Sequence, residues 1–280
     1  MLGGFCKLTQ DLLTTHVKYC QFSLLQKRWN HVIKAQDARE IQVPLPHGKI
    51  AGLNENTLNI YMTSLSLLFI GKEWGSIGGY PILCLHGLAD NCDSFAPLAP
   101  LLSEKFHYIA VDAFGNGWTT HLPLGPPVNY WEKVIYVKRV VDHLKMKKFS
   151  INGHSMGGST GLLFASLYPD LIDRLLTLDI IKPVTVPLAW HTQNITEAIE
   201  LHLDMERKSQ DSKNQKSYTR EQLVSRYVEA MGGTIYPEAV RVLMKRGSKV
   251  SGNGYVFSHD PRMVTKHFMF SKSKKIHKSN

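Results

Sequence analysis

A chain of 280 residues that is 43% hydrophobic can bury one sizeable core, with or without an inserted lid, which excludes general disorder and a polytopic membrane protein. Its net charge of +10 sits mostly at the two ends. Lys7, Lys18, Lys27, Arg28 and Lys34 face only Asp11 near the N-terminus, and from Arg262 onward there are bases and no acids. Basic tails on a nearly balanced core, with no RNA- or DNA-binding motif, argue against a nucleic-acid partner.

The four cysteines, Cys6, Cys20, Cys84 and Cys92, form neither a CxxC pair nor a metal-ligand pattern. Cys84 lies in an apolar run, where a reduced core thiol and a reducing compartment are expected. With no P-loop and no zinc-ligand helix, no cofactor and no metal are expected. The N-terminus lacks the compact apolar run of a secretory signal, and Lys278-Ser279-Asn280 is not a peroxisomal S-K-L ending. A cytoplasmic location is expected ahead of a mitochondrial one.

In chain order, residues 1–40 form a basic extension and Ile41–Ile50 read as a short strand and turn. Residues 53–71 hold an uncharged apolar stretch that is too short to span a bilayer comfortably, so a buried strand or an inserted segment is expected and no integral membrane span. Pro81–His86 is a buried strand, Asp93–Leu102 a predicted helix, and Tyr108–Asp112 a strand that ends in a Gly-containing turn, Phe114–Gly117. Tyr130–Met146 is amphipathic, with Trp131, Val134, Val137, Val141 and Leu144 near helical spacing. Phe149–Asn152 is a strand, Ser159–Tyr168 a helix, and Leu175–Ile180 a further strand. Such alternation predicts an α/β architecture: a mostly parallel sheet with helices on both faces and the active site at the carboxyl ends of the strands. The core is expected over residues 41–182, an inserted helical lid over 183–260, and a basic tail over 261–280.

Gly153-His154-Ser155-Met156-Gly157-Gly158 falls between a strand and a helix, the context of the G-x-S-x-G nucleophile elbow. A serine hydroxyl is a poor nucleophile unless it is held exposed beside a base, and a tight turn provides the exposure. Gly153 and Gly157 let the chain reverse and hold Ser155 in a strained backbone state. His86-Gly87-Leu88 closes an earlier strand, so the Leu88 and Met156 N–H groups are expected to form an oxyanion hole. His86 is expected to shape its turn, His154 to be structural, and Asp112 to bond turn amides. Asp179 ends the strand after the elbow helix, where it could orient a catalytic histidine or cap a turn. The histidine itself is not identified, because His191, His202, His259, His267 and His277 all lack a strand-then-loop context.

These motifs resemble the serine hydrolase-like subfamily of the α/β-hydrolase fold. The most specific pieces are Glu73-Trp74-Gly75-Ser76, Cys84-Leu85-His86-Gly87-Leu88-Ala89-Asp90-Asn91 with Ser94-Phe95, Gly153–Gly158, and Leu243-Met244-Lys245-Arg246-Gly247. The resemblance implies Ser155 as nucleophile, Gly87–Ala89 as part of the oxyanion hole, and a cytoplasmic or peroxisome-associated enzyme. The chain departs from the pattern in two places. Ala51-Gly52 would run almost directly into Lys72-Glu73, which makes residues 53–71 an insertion. Past the lid, the family has two more core strands carrying an acid and the histidine, where this chain has Lys272–Asn280. Two functions are therefore weighed: a serine hydrolase for a small ester, thioester or amide, and a non-catalytic binding protein of the same fold. An edge left without its last strands would favour self-association. We expect both departures to come from an unspliced or variant transcript. Reads joining codon 52 or 53 to codon 72 and extending past codon 270 would bear this out, and exclusive reads of the present sequence would end it.

Overall fold

The computed structural model describes residues 38–44, 48–54, 57–65, 68–121, 130–183, 185–210, 216–264 and 270–272. The first six strands in chain order are β1 (Arg39–Pro44), β2 (Gly48–Asn54), β3 (Thr57–Leu65), β4 (Leu68–Gly75), β5 (Tyr80–Leu85) and β6 (Phe106–Val111). Two more core strands, β7 (Phe149–His154) and β8 (Ile172–Leu178), follow helices α1 (Tyr130–His143) and α2 (Met156–Leu167), respectively. The central sheet has the order β1-β4-β6-β5-β7-β8. The β6-β5-β7-β8 pairs are parallel, while β1 and β4 make antiparallel pairings at the other side.

Alternation along these strands builds two cores. Leu83, Leu85, Ile109, Val111, Phe149 and Ile151 face one way and pack against Val134, Val137, Val140 and Val141 of α1 and Phe164 of α2. Trp74, Cys84, Tyr108 and Ala110 face the other way and pack on Cys92, Phe95 and Ala99. Each fully buried Leu, Ile, Val or Phe contributes roughly 1.5–3 kcal/mol, so the middle strands are apolar on both faces. Burial pushes the Cys84 thiol up to about 12, which keeps it a protonated core group.

Two expectations are corrected. Asp93–Leu102 is not one helix but two 3-10 turns, Cys92–Phe95 and Ala99–Leu101, because Pro97 and Pro100 interrupt the segment and lack N–H donors. Trp131 is not part of the core stripe of α1; it is exposed, and Val134, Val137, Val140 and Val141 are buried. The stretch over residues 53–71, expected as a buried strand or an inserted segment, is divided between two pairings. Its first part belongs to a separate antiparallel hairpin, β2 with β3, and Leu68–Gly71 instead opens β4, opposite Ile41–Pro44 of β1.

Beyond β8 come β9 (Thr185–Pro187) and helices α3 (Leu188–Gln210), α4 (Arg220–Ala230) and α5 (Pro237–Gly247). Helix α4 starts at a capping box in which Thr219 and Gln222 satisfy each other's backbone N–H. Pro237 opens α5, and Lys245 and Arg246 lie in its last turn, each position suiting the helix geometry and dipole. Leu223, Val224 and Tyr227 of α4 pack against Val240, Leu243 and Met244 of α5. The chain continues as a hairpin, β10 (Ser248–Ser251) with β11 (Gly254–Phe257), and within the basic tail β12 (Phe270–Lys272) pairs in parallel with β9. Among the described residues no helix is long and apolar enough to cross a membrane. Strand β8 forms one edge of the main sheet, and its Leu176 is 56% exposed.

One buried ion cluster ties these parts together. Arg246 at the end of α5 has 0% exposure. Its Nε and Nη2 donate to Asp112 Oδ2 at 3.0 and 2.8 Å, and its Nη1 donates to both Glu40 oxygens at 2.8 and 3.0 Å. The guanidinium also stacks over Trp118, 4.0 Å from the ring centre. Removing one partner of a buried pair leaves an uncompensated charge, so Arg246→Ala should cost about 3–5 kcal/mol in urea unfolding. A loss below about 1 kcal/mol, the range of surface pairs, would show that the cluster does not hold the fold.

Candidate active site

His86, Asp112, Ser155 and Asp179 each stand one residue past the end of a core strand, β5, β6, β7 and β8, so the parallel sheet gathers them at its carboxyl edge. Ser155 is the turn between β7 and α2, with φ 46° and ψ −111°. For a residue with a Cβ, such a backbone state costs of order 1–3 kcal/mol and survives only where its surroundings enforce it. The enforcement is close backbone packing. A Cβ at Gly157 would collide with the carbonyl oxygen of Leu85, and one at Gly153 would lie 2.6 Å from the Gly158 Cα. Ser155 N–H donates to Leu178 O at 2.9 Å, which ties the elbow to the end of β8.

Facing the elbow is the turn after β5. The Ala113 N–H donates to His86 Nε2 at 2.9 Å, so the ring proton is on Nδ1, which donates to Gly87 O at 2.7 Å. His86 has both nitrogens engaged by backbone and is 1% exposed, which makes it part of the turn's framework. Ala89 has φ 57°, and the turn is closed by Asp90 N–H to Gly87 O at 3.4 Å. Among the described residues neither Leu88 N–H nor Met156 N–H has a protein acceptor. Two amides without acceptors, one in this turn and one in the first turn of α2, are the donors that an oxyanion would need.

His154 points away from a role on Ser155 and toward Asp90. Its Nδ1 lies 3.7 Å from Asp90 Oδ2, an ion-pair distance, and Tyr227 of α4 donates its hydroxyl to Asp90 Oδ1 at 2.8 Å. The Asp90 carboxylate raises the His154 imidazole against the opposing effect of burial, and Asp179 adds in the same direction. Burial pushes Asp90 up, but His154, His86 and Tyr227 together outweigh it and hold the carboxyl below its ordinary value. The pair crosses Gly87, where a Cβ would lie 2.8 Å from His154 Nδ1 and 3.1 Å from Asp90 Oδ2. That contact explains why the turn needs glycine.

Asp112 is bonded as a structural residue. Besides Arg246, it accepts the N–H groups of Cys92 at 2.7 Å and Trp118 at 3.0 Å. Asp179 is exposed, with φ 56°, and it directly follows the residue bonded to Ser155 N–H. No histidine is brought into contact with the Ser155 hydroxyl among the described residues. His202 faces Glu206 on its own helix at 3.4 Å, and His259 stacks on Phe257 at 5.4 Å. His191 lies in α3, and His267 and His277 lie outside the described residues.

Sequence reasoning missed Asp90, Asn91 and Tyr227 as parts of this site. Asn91 Nδ2 donates to Leu243 O of α5 at 3.0 Å, so two consecutive residues of the turn are tied to the two helices. Asp90 and Asn91 were within the recognised C-L-H-G-L-A-D-N motif, but nothing local in sequence links them to Tyr227 or Leu243.

The pKa shifts set a pH window. A raised His154 stabilises the fold fully below its unfolded pKa of about 6.5, and that contribution fades as pH rises through the higher folded value. A lowered Asp90 stabilises above its unfolded value of about 3.9, and that contribution fades as pH falls through the lower folded value. The pair's charge-dependent contribution is thus greatest between roughly pH 4 and 6.5. The difference in urea midpoint between wild type and Asp90→Asn should be larger at pH 5.5 than at pH 8.5, and equal differences would remove the charged pair.

The geometry agrees with what the chain is similar to. The family model described as alpha/beta hydrolase fold matches residues 80–236. Serine hydrolase-like protein 2 of Homo sapiens is 35% identical over 197 residues, covering 69% of this chain and 61% of that protein. Serine hydrolase-like protein of Danio rerio is 29% identical over 233 residues, covering 83% of this chain and 65% of the relative. The chain therefore spans less than two thirds of the length of either relative. Among solved structures, a hypothetical protein from Pseudomonas aeruginosa PAO1 superposes with a TM-score of 0.69 at 27% identity, covering 83% of this chain and 74% of the other. A thioesterase domain from the curacin biosynthetic pathway, with a TM-score of 0.57 at 20% identity over 79% of this chain and 75% of its own, is a likeness of fold alone. The chain belongs to the alpha/beta hydrolase fold family and, within it, groups with the serine hydrolase-like proteins.

Proposed function

We propose that Ser155 is the nucleophile of a serine hydrolase that acts on a small ester, thioester or amide. The observation that carries this reading is the strained Ser155 turn beside two amides, Leu88 N–H and Met156 N–H, that have no acceptor among the described residues. The Ser155 oxygen would attack the acyl carbon and give up its proton to a base. The carbonyl oxygen, now negative, would accept from the two amides. Collapse would break the bond to the leaving alcohol, thiol or amine, which takes a proton, and water would then release the acid from the acyl-serine. Asp179 is the candidate acid, supported by its place beside the elbow.

The helices over residues 188–247 serve as a lid and one wall of an apolar pocket. This reading is supported by their bonds to Asp90 and Asn91 in the oxyanion turn. A lid excludes water and strengthens every electrostatic contact inside. The name of the human relative is consistent with the chemistry.

A second reading, a non-catalytic binding protein of the same fold, is favoured by one observation. Among the described residues no histidine contacts the Ser155 hydroxyl, and the loss of a triad member costs orders of magnitude in rate. A fluorophosphonate probe separates the two readings. Labelling of the chain that Ser155→Ala reduces to background supports the hydrolase. A folded chain that stays unlabelled while a longer relative is labelled supports the binding protein.

A further inference from the structure

The oxyanion turn is not self-supporting. Ala89 lies in the left-handed region at φ 57°, and the one backbone bond that closes the turn, Asp90 N–H to Gly87 O, is long at 3.4 Å. His86 holds the start of the turn, with Nδ1 on Gly87 O at 2.7 Å and Nε2 accepting the Ala113 N–H at 2.9 Å. Its far side is held by the Asp90 side chain, with 12% exposure and its two oxygens divided between different elements. Oδ1 accepts from Tyr227 of α4 at 2.8 Å, and Oδ2 faces Nδ1 of His154, the residue before the nucleophile, at 3.7 Å. One carboxylate thus touches the helical segment, the oxyanion turn and the elbow. Burial and the Asp90 charge keep the Tyr227 phenol protonated, so it remains a donor.

We propose that Asp90 is a positioning residue for the oxyanion hole, with Tyr227 and His154 as its two anchors, so that the seating of α4 is transmitted to the Leu88 amide. The proposal rests on the acyl-serine reading above for its catalytic consequence, while its structural part stands apart from it. Through this contact a shift of α4 would change the distance between the Leu88 and Met156 amides. Donor misplacement of about 1 Å can lower a rate about 100-fold, which makes a part-buried hydrogen bond from the lid to the turn an effective control point. The groups that bear on His154 are Asp90 and Asp179, and no other element contributes a charge toward it among the described residues.

The test uses the whole chain with two variants, Asp90→Asn and Tyr227→Phe. The readouts are the second-order rate of fluorophosphonate labelling and an NMR titration of 13C-labelled histidine, with the His154 signal identified by its loss in His154→Gln. Asp90→Asn should slow labelling about 10- to 100-fold and move the His154 titration to lower pH. Tyr227→Phe, which keeps the ring and loses only the hydroxyl, should slow labelling about 3- to 10-fold and shift the Leu88 amide resonance, on the same argument from donor misplacement. Wild-type labelling rates in both variants, or a Leu88 amide and a His154 titration that stay unchanged, overturn the proposal. If the wild-type chain is not labelled at all, the acyl-serine reading fails on its own. The Leu88 shift and the His154 titration then decide whether Asp90 positions the turn.

Discussion

A guanidinium with no access to water constrains every element around it. Arg246 must be neutralised and fully hydrogen-bonded where it sits, because a buried unpaired cation costs several kcal/mol. Its partners are Asp112 at the end of β6 and Glu40 on β1, and its face rests on Trp118. Asp112 is therefore shared: it neutralises Arg246 and also accepts the amides of Cys92 and Trp118. The start of the segment after the oxyanion turn, the loop after β6, the opening strand and the end of α5 are all brought to one point. Three side chains then extend that joint toward the site. Asn91 reaches Leu243 O, Tyr227 reaches Asp90, and Ser258 donates to Arg246 O at 2.6 Å.

The two halves of the candidate site are maintained by different physics. The elbow is enforced by backbone packing against its neighbouring strands, where glycines at 153 and 157 permit contacts that no side chain could share. The turn after β5 is held by side chains: His86 through both ring nitrogens, and Asp90 through Tyr227 and His154. Backbone packing is stiff and insensitive to pH. A charged pair and a phenol hydroxyl respond to protonation and to helix seating. The candidate site therefore joins a backbone-packed serine turn to a turn held by side chains.

The motifs that identify the family acquire physical reasons in this arrangement. In Glu73-Trp74-Gly75, the glutamate pairs with Arg39 at 2.8 Å and His107 at 2.7 Å, the tryptophan fills the second core, and the glycine takes φ 79° against the Phe106 carbonyl. In Leu243–Gly247, a carbonyl accepts from Asn91 and a guanidinium anchors Asp112. In Cys84–Asn91, His86 fixes the turn through both ring nitrogens, and the last two residues hold the helices. Outside the elbow and the turn, these motif residues hold the fold around the candidate site.

The sequence by itself determined the strand–helix alternation, the elbow and the four strand-end residues. Each of these is set by local rules: apolar period, glycine at a tight reversal, and the carboxyl edge of a parallel sheet. It also placed Asp112 and His86 as structural, since a polar side chain at a strand end has turn amides within reach. It failed where local signals compete. Asp93–Leu102 has helical apolar spacing, yet Pro97 and Pro100 decide for 3-10 turns, and Trp131 fits the apolar period of α1 yet is exposed. Only the tertiary structure decided that Arg246 meets Asp112 across 134 positions and that Tyr227 meets Asp90 across 137. Pairings at such separations depend on how the sheet and helices close on one another. A buried charge or hydroxyl can name its need for a partner in the sequence, but the closing of the fold selects which partner fills it.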